Sequence, residues 1–236
     1  MPSTHPCTFT DELLARRRST RAFTDRTVDR ATLEAIFRAA RQAPSGANLQ
    51  PGHFHALTGP ALQDLTARLT AAEAEGRAYD QDYSYFPEPM PAALKARQRA
   101  AGQALYQALG IGRRDIAARR QAFARNYAFF GAPVGIVVTI DRAMGKGCFM
   151  DLGMSLMALF LAAETRGLAT TGIGALANHA GVVHTALGLP DDQMVVCGIA
   201  LGHADPEAPV NSTRTTRLAL SDFTTFRGFD AAKGET

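Results

Sequence analysis

Two apolar runs constrain this chain more than any other feature: APVGIVVTI at 132–140 and LGMSLMALFLAA at 152–163. The first is short and β-branched, which suits a strand buried on both faces. The second is longer, rich in Leu and Met, and bracketed by Asp151 and Glu164, which suits a buried helix. Neither run reaches the roughly 18 apolar residues of a membrane span. A third run, QMVVCGIALG at 193–202, reads as the last clear core strand.

Punctuation places the other elements. Thr10, followed by Asp11 and Glu12, predicts the cap of a first helix that runs into the arginines. STRAF (19–23) then reads as extended. Asp29 predicts the cap of a second helix with Leu33, Ile36, Phe37 and Ala40 on one face, ended by Pro44. GHFHALTG (52–59) reads as a strand, and Pro60 as the first residue of the next helix. Residues 79–91, YDQDYSYFPEPMP, form an aromatic, proline-rich loop or lid. Helices are expected over about 92–109 and 113–129, then a strand at 133–140 and a helix at 150–166. LATTGIGAL (168–176) is a strand or loop of small residues, followed by a helix at 179–187. Irregular alternation of strands and helices argues for an α+β or three-layer α/β fold over a doubly wound sheet.

With 236 residues, 46% of them hydrophobic, the chain has material for one substantial core. The net charge is only +3, so any anion is bound locally. Cys7, Cys148 and Cys197 are odd in number and lack the C-x-x-C spacing, which supports neither a disulfide framework nor a metal site. A reducing, cytoplasmic setting is expected, with no secretory signal and no membrane partner.

Four arginines fall within six residues in ARRRSTRAF (15–23). In an extended segment alternate side chains share a face, so Arg17, Ser19 and Arg21 would converge into a phosphate cup. Arg16 and Arg18 would point elsewhere as helix-end or surface charge, although Arg18 stays among the candidates. A solvated helix C-terminus fits the cluster equally well. Nucleic-acid binding is a remote alternative, because the run is short, lacks interleaved aromatics and sits in a near-neutral chain. NSTRTTR (211–217) supplies a second pair, Arg214 and Arg217, or a solvated tail.

In APSGANLQP (43–51), Pro44, Ser45, Gly46, Asn48 and Gln50 can read the edge and face of a flat heterocycle, or simply make a turn. In TTGIGALA (170–177), Gly172 and Gly174 permit close backbone approach to a ligand, or tight strand packing. Tyr83, Tyr85 and Phe86 are candidates for a substrate wall, or for plain packing. The histidines show no metal spacing. No nucleophile elbow, Walker loop or paired carboxylate is present, so hard chemistry would fall to a cofactor.

Taken in order, RRSTRAF (17–23), VDRATLEAIFRAARQAPSGANLQP (28–51), NYAFFGAPVGIVV (126–138), DLGMSLMALFLAAETRGLAT (151–170), ALGLPDDQMVVCGIALGHADP (186–206) and NSTRTTRLALSDF (211–223) resemble the FMN-dependent nitroreductase family. The likeness is greatest to its nitrobenzoate-type subgroup. It implies one three-layer α/β/α domain over 1–236 with a central mixed sheet. A helical and lid excursion would occupy 79–130, and a C-terminal arm at 203–236 would cross to the partner of an intertwined homodimer.

By the same resemblance, Arg17, Ser19 and Arg21 would hold the FMN phosphate and ribityl chain, and Arg214 and Arg217 would close that site. Pro44, Ser45, Gly46 and Asn48 of the partner subunit would cover the ring, with Gln50 in the same loop. Backbone around Gly172, Ile173, Gly174 and Ala175 would face the flavin. The family often has Gln-Pro-Trp at Gln50-Pro51-Gly52, Gln at Met157 and Pro-Gln at Gly172-Ile173, which implies a roomier or differently shaped pocket here. The implied activity is ping-pong hydride transfer from NAD(P)H through FMN to nitroaromatics or quinones, with no catalytic side chain. The alternative is a flavin-dependent oxidase or dehydrogenase of a biosynthetic pathway.

Overall fold

The computed structural model describes residues 8–229; His5, Cys7 and the last seven residues of the arm lie outside them. Its centre is a sheet of β1 (His53–Thr58), β2 (Val134–Asp141), β3 (Ala169–Ile173) and β4 (Gln193–Gly202), in the order β1-β2-β4-β3. All three pairings of these strands are antiparallel. Outside the named strands, one isolated parallel bridge joins Ser19 to Thr170.

Helices cover both faces. On one side lie α3 (Gly59–Ala74) and α7 (Ala180–Leu187), with Leu65, Leu69, Phe129, Val137 and Leu176 in one core. On the other lie α2 (Arg30–Ala40) and α6 (Lys146–Glu164), with Ile36, Ile136, Ile140, Leu152 and Leu159 in the second. Strand alternation sends Val137 one way and Ile136 and Val138 the other. This is the physical reason that β2 is an uninterrupted apolar run: both of its faces are buried. Apart from these layers stand α1 (Phe9–Arg16), α4 (Ala92–Ala108), α5 (Ile116–Ala124) and the short α8 (Leu220–Phe223).

Three expectations shift. The first cap is Thr8, not Thr10. Thr8 Oγ1 accepts from the Asp11 amide at 3.2 Å and Asp11 accepts from the Thr8 amide at 2.9 Å, a reciprocity that needs an acceptor three residues on. Helix α5 is shorter than the expected 113–129. Asp115 caps it through the Ala118 amide at 2.9 Å, and the backbone turns left-handed at Phe129 (φ 47°) and Phe130 (φ 55°). Helix α6 starts earlier, at Lys146, and its 19 residues are long and apolar enough to cross a membrane by length and composition. Its stripe of Leu152, Ser155, Leu159, Ala162 and Ala163 is buried instead within the protein, while Met150 and Met154 are exposed.

Candidate functional site

After α1 ends, residues 19–24 run along the sheet. Thr20 donates its amide to Thr170 O (3.0 Å), and Thr24 donates to His203 O (2.9 Å). This places Arg17, Arg18, Ser19 and Arg21 on the wall of a cavity of about 380 Å³, opposite Thr213, Arg214, Thr215 and Arg217. Arg18 is therefore brought in and not turned away, because the segment touches the sheet at isolated bridges and never becomes a regular strand. Arg16 is the one left out, with its Nε 2.9 Å from Glu164.

Among the described residues none of these five arginines forms an ion pair, and no carboxylate lines the cavity. Burial pulls the Arg21 guanidinium below its usual range, although arginine stays protonated in proteins. Arg17, Arg18 and Arg21 are half-buried while Arg214 and Arg217 are exposed; converging guanidiniums repel one another and are relieved by an anion that accepts several charge-assisted hydrogen bonds. The donor set fits a phosphate.

The two halves are sewn together by Asn211, which is buried. Its Oδ1 accepts from the amides of Arg21 (2.9 Å) and Ala22 (3.2 Å). Its Nδ2 donates to Ala22 O and Asp205 O, both at 2.9 Å. Its carbonyl accepts from Arg18 (3.2 Å) and Arg214 (3.3 Å). Sequence reasoning noted Asn211 as part of a polar tail and missed this clasp. Nothing local signals a partner some 190 residues away.

A second cavity, about 560 Å³, is aromatic. Tyr83, Tyr85, Phe86 and Phe123 line it together with Gly174 and Ala175. A smaller cavity of about 60 Å³ is bordered by both Arg21 and Phe123, so it touches a wall residue of each larger one. The lid is pinned at its start. Asp80 accepts from the Gly181 amide at 3.1 Å, in a fit so close that a Cβ at 181 would strike the carboxylate. Asp82 pairs with Arg142 at 2.7 Å.

Tyr83 donates its hydroxyl to Val196 O at 2.6 Å. That carbonyl is reached at a bulge, where the β2–β4 register steps from Cys197 to Val195 and leaves Val196 without a strand partner. Burial pushes the Tyr83 phenol up, which keeps it a neutral donor. Beyond these anchors Tyr85 and Phe86 are exposed. The Tyr85 ring covers Gly174, 3.0 Å from where a Cβ would stand.

The other candidates lie apart. Ile173 is 1% exposed and buried in a core, and Gly172 is exposed over Phe160. Met157 is half-buried on α6. Pro44, Ser45 and Gln50 line a separate crevice with Asp151, whose carboxylate accepts from the Gly46 amide at 3.0 Å. Ala47 (φ 49°), Asn48 (φ 58°) and Gln50 (φ 48°) are left-handed without being glycine, a strain concentrated at functional loops. His53 and His55 lie with ring centroids 4.7 Å apart, and no group of three metal-binding side chains exists among the described residues.

The nitroreductase family model matches residues 14–203, a span that includes the aromatic cavity and the N-terminal wall of the arginine cavity. The chain belongs to the nitroreductase family. Among similar members, the nitrobenzene nitroreductase of Ectopseudomonas oleovorans is 38% identical over 92% of this chain and 96% of its own length. The 4-nitrobenzoate reductase of Pseudomonas putida is 37% identical over 93% of this chain and 96% of its own. The crystal structure of the FMN and NADPH-dependent nitroreductase NfnB from Sphigopyxis sp. strain HMH superposes with a TM-score of 0.91 at 41% identity, covering 94% of this chain and all of that one. The nitroreductase-family fold therefore extends through both cavities and into the arm.

Proposed function

We propose that this chain is an FMN-dependent NAD(P)H oxidoreductase that reduces nitroaromatic compounds as a homodimer. The observation that carries the reading is the cavity of five arginines with no acidic partner among the described residues, a receptor for a phosphate inside a nitroreductase-family fold. When bound, FMN would supply two-electron transfer from NAD(P)H to the nitro group, which with two protons becomes a nitroso group and water.

The residues do the rest. Arg17, Ser19 and Arg21 grip the phosphate and polyol from the N-terminal side. Arg214 and Arg217 close it from the arm, and Arg18 adds charge from the position Asn211 gives it. Backbone at Gly172, Ile173, Gly174 and Ala175 faces the ring, and Met157 of α6 is the remaining cofactor-binding candidate. Tyr85 and Phe86 exclude water and stack against a flat acceptor, while Tyr83 holds the lid. No side chain acts as a base, and protons come from solvent.

The strained, exposed loop of Pro44, Ser45, Gly46, Asn48 and Gln50 covers the flavin of the partner subunit. Exposed apolar side chains support a dimer with a crossing arm: Met150 and Met154 on α6, and Leu220, Phe223, Phe226 and Phe229 near the C-terminus. The chain works as one domain over 1–236, with 79–130 as its excursion and 203–236 as its arm, in the cytoplasm and without nucleic-acid or membrane partners. The visible spectrum of the purified protein tests the cofactor, and NAD(P)H oxidation driven by a nitroaromatic tests the reaction. A colourless protein that takes up no added FMN overturns the reading.

A further inference from the structure

We propose that the aromatic cavity selects uncharged nitroaromatics over those carrying a carboxylate, and that Glu88 sets this preference. The inference rests on the reading of that cavity as the acceptor site. Overall similarity does not choose between the two classes. Relatives 38% and 37% identical are named for nitrobenzene and for 4-nitrobenzoate.

The lining does choose. Its wall is aromatic and apolar, with Tyr85, Phe86, Met90 and Phe123, and it contains no Lys, Arg or His; Glu88 is the one charged residue on it. Three polar side chains of the lining spend a hydrogen within the protein, which leaves the neutral Gln81 amide and Tyr85 hydroxyl and no cation to meet an anion. Tyr83 donates to Val196 O at 2.6 Å, Ser84 to Phe86 O at 2.7 Å, and Asn178 to Tyr127 Oη at 3.2 Å. The arginine that reaches the lid, Arg142, is paired with Asp82 at 2.7 Å. The five arginines that converge without an ion pair among the described residues line the cavity of about 380 Å³ instead.

A carboxylate entering here leaves water without gaining a cation, and it meets a like charge. An uncharged ring loses nothing comparable and gains the aromatic wall. The arginine cavity marks the contrast within one molecule: where this chain receives an anion, it supplies guanidiniums.

The test uses the FMN-loaded protein with 4-nitrobenzoate and its methyl ester. The two share ring and nitro group and differ in charge. Because the ester is also intrinsically easier to reduce, the decisive quantity is how the ester-to-acid ratio of kcat/KM changes between the wild type and Glu88 variants.

The expected wild-type ratio is about 10 or more. Glu88→Gln should lower it about 3-fold and Glu88→Lys about 10-fold, mainly through the KM of the acid, with the ester moving less. Added salt should lower the ratio of the wild type more than that of Glu88→Gln. A ratio unmoved by both substitutions, or a preference for the acid in the wild type, overturns the inference and leaves the nitroreductase reading standing. If the flavin-loaded protein reduces neither compound, the acceptor-site reading falls and takes the inference with it.

Discussion

The arginine cavity and the aromatic cavity border the same small crevice, yet they are built by opposite means. The first draws its walls from both ends of the described chain, residues 14–21 and 213–217. One buried asparagine joins these ends, and among the described residues their charges have no acidic partner. The second is built largely from one contiguous lid, held down at Asp80, Asp82 and Tyr83 and exposed beyond. A cavity whose charge is unmatched is specific for what neutralises it. A cavity pinned at one end adapts its free aromatic rings to whatever stacks there. On the proposed reading, the first cavity holds the resident cofactor and the second discriminates among acceptors.

Breaking the clasp should show this most strongly. Asn211→Ala leaves several buried backbone groups unpaired and should lower apoprotein stability by about 3 kcal/mol. FMN affinity should fall 100-fold or more, read by thermal unfolding and flavin titration. Arg21→Ala comes next. Loss of one charge-assisted anchor, worth about 1.5–3 kcal/mol, predicts a 10- to 100-fold weaker FMN complex. The apoprotein should be no less stable, since a half-buried charge with no acidic partner among the described residues is removed, and saturating FMN should restore turnover.

Tyr83→Phe reverses the pattern. Without its bond to Val196 O the lid loosens, and KM for a nitroaromatic should rise several-fold, about 1 kcal/mol, while the FMN dissociation constant stays put. Arg16→Ala, the smallest, removes an exposed pair worth about 0–1 kcal/mol; neither flavin affinity nor KM should change by more than twofold. Equal flavin loss in the Arg16 and Arg21 variants would sink the division between surface charge and site charge. A Tyr83 variant that sheds FMN would erase the distinction between the cavities.

Much of the frame was legible from local signals. The strand at 134–141 follows from an apolar run buried on both faces, α2 from the Asp29 cap and its apolar face, and α3 from Pro60. Arg17, Ser19 and Arg21 were legible as a unit from alternation, whereas RTTR as their complement was implied by the family resemblance. Alternation alone would turn Arg18 away from that face, because alternation assumes a regular strand. Here isolated bridges steer the segment, and residues on both sides of Ser19 reach the cavity. Thr8 displaced Thr10 because a capping box depends on a reciprocal acceptor and not on residue type alone.

By itself, then, the sequence determined the layers, the arginine content and the aromatic lid, because periodicity, caps and residue chemistry act over a few residues at a time. Only the tertiary structure decided that Asn211 ties the two arginine segments into one cavity, that a bulge at Val196 offers its carbonyl to Tyr83, and that the aromatic wall holds Glu88 and no cation. Each depends on a contact across many residues of chain. The free energy of such a contact belongs to the pair, and neither partner's local sequence carries it.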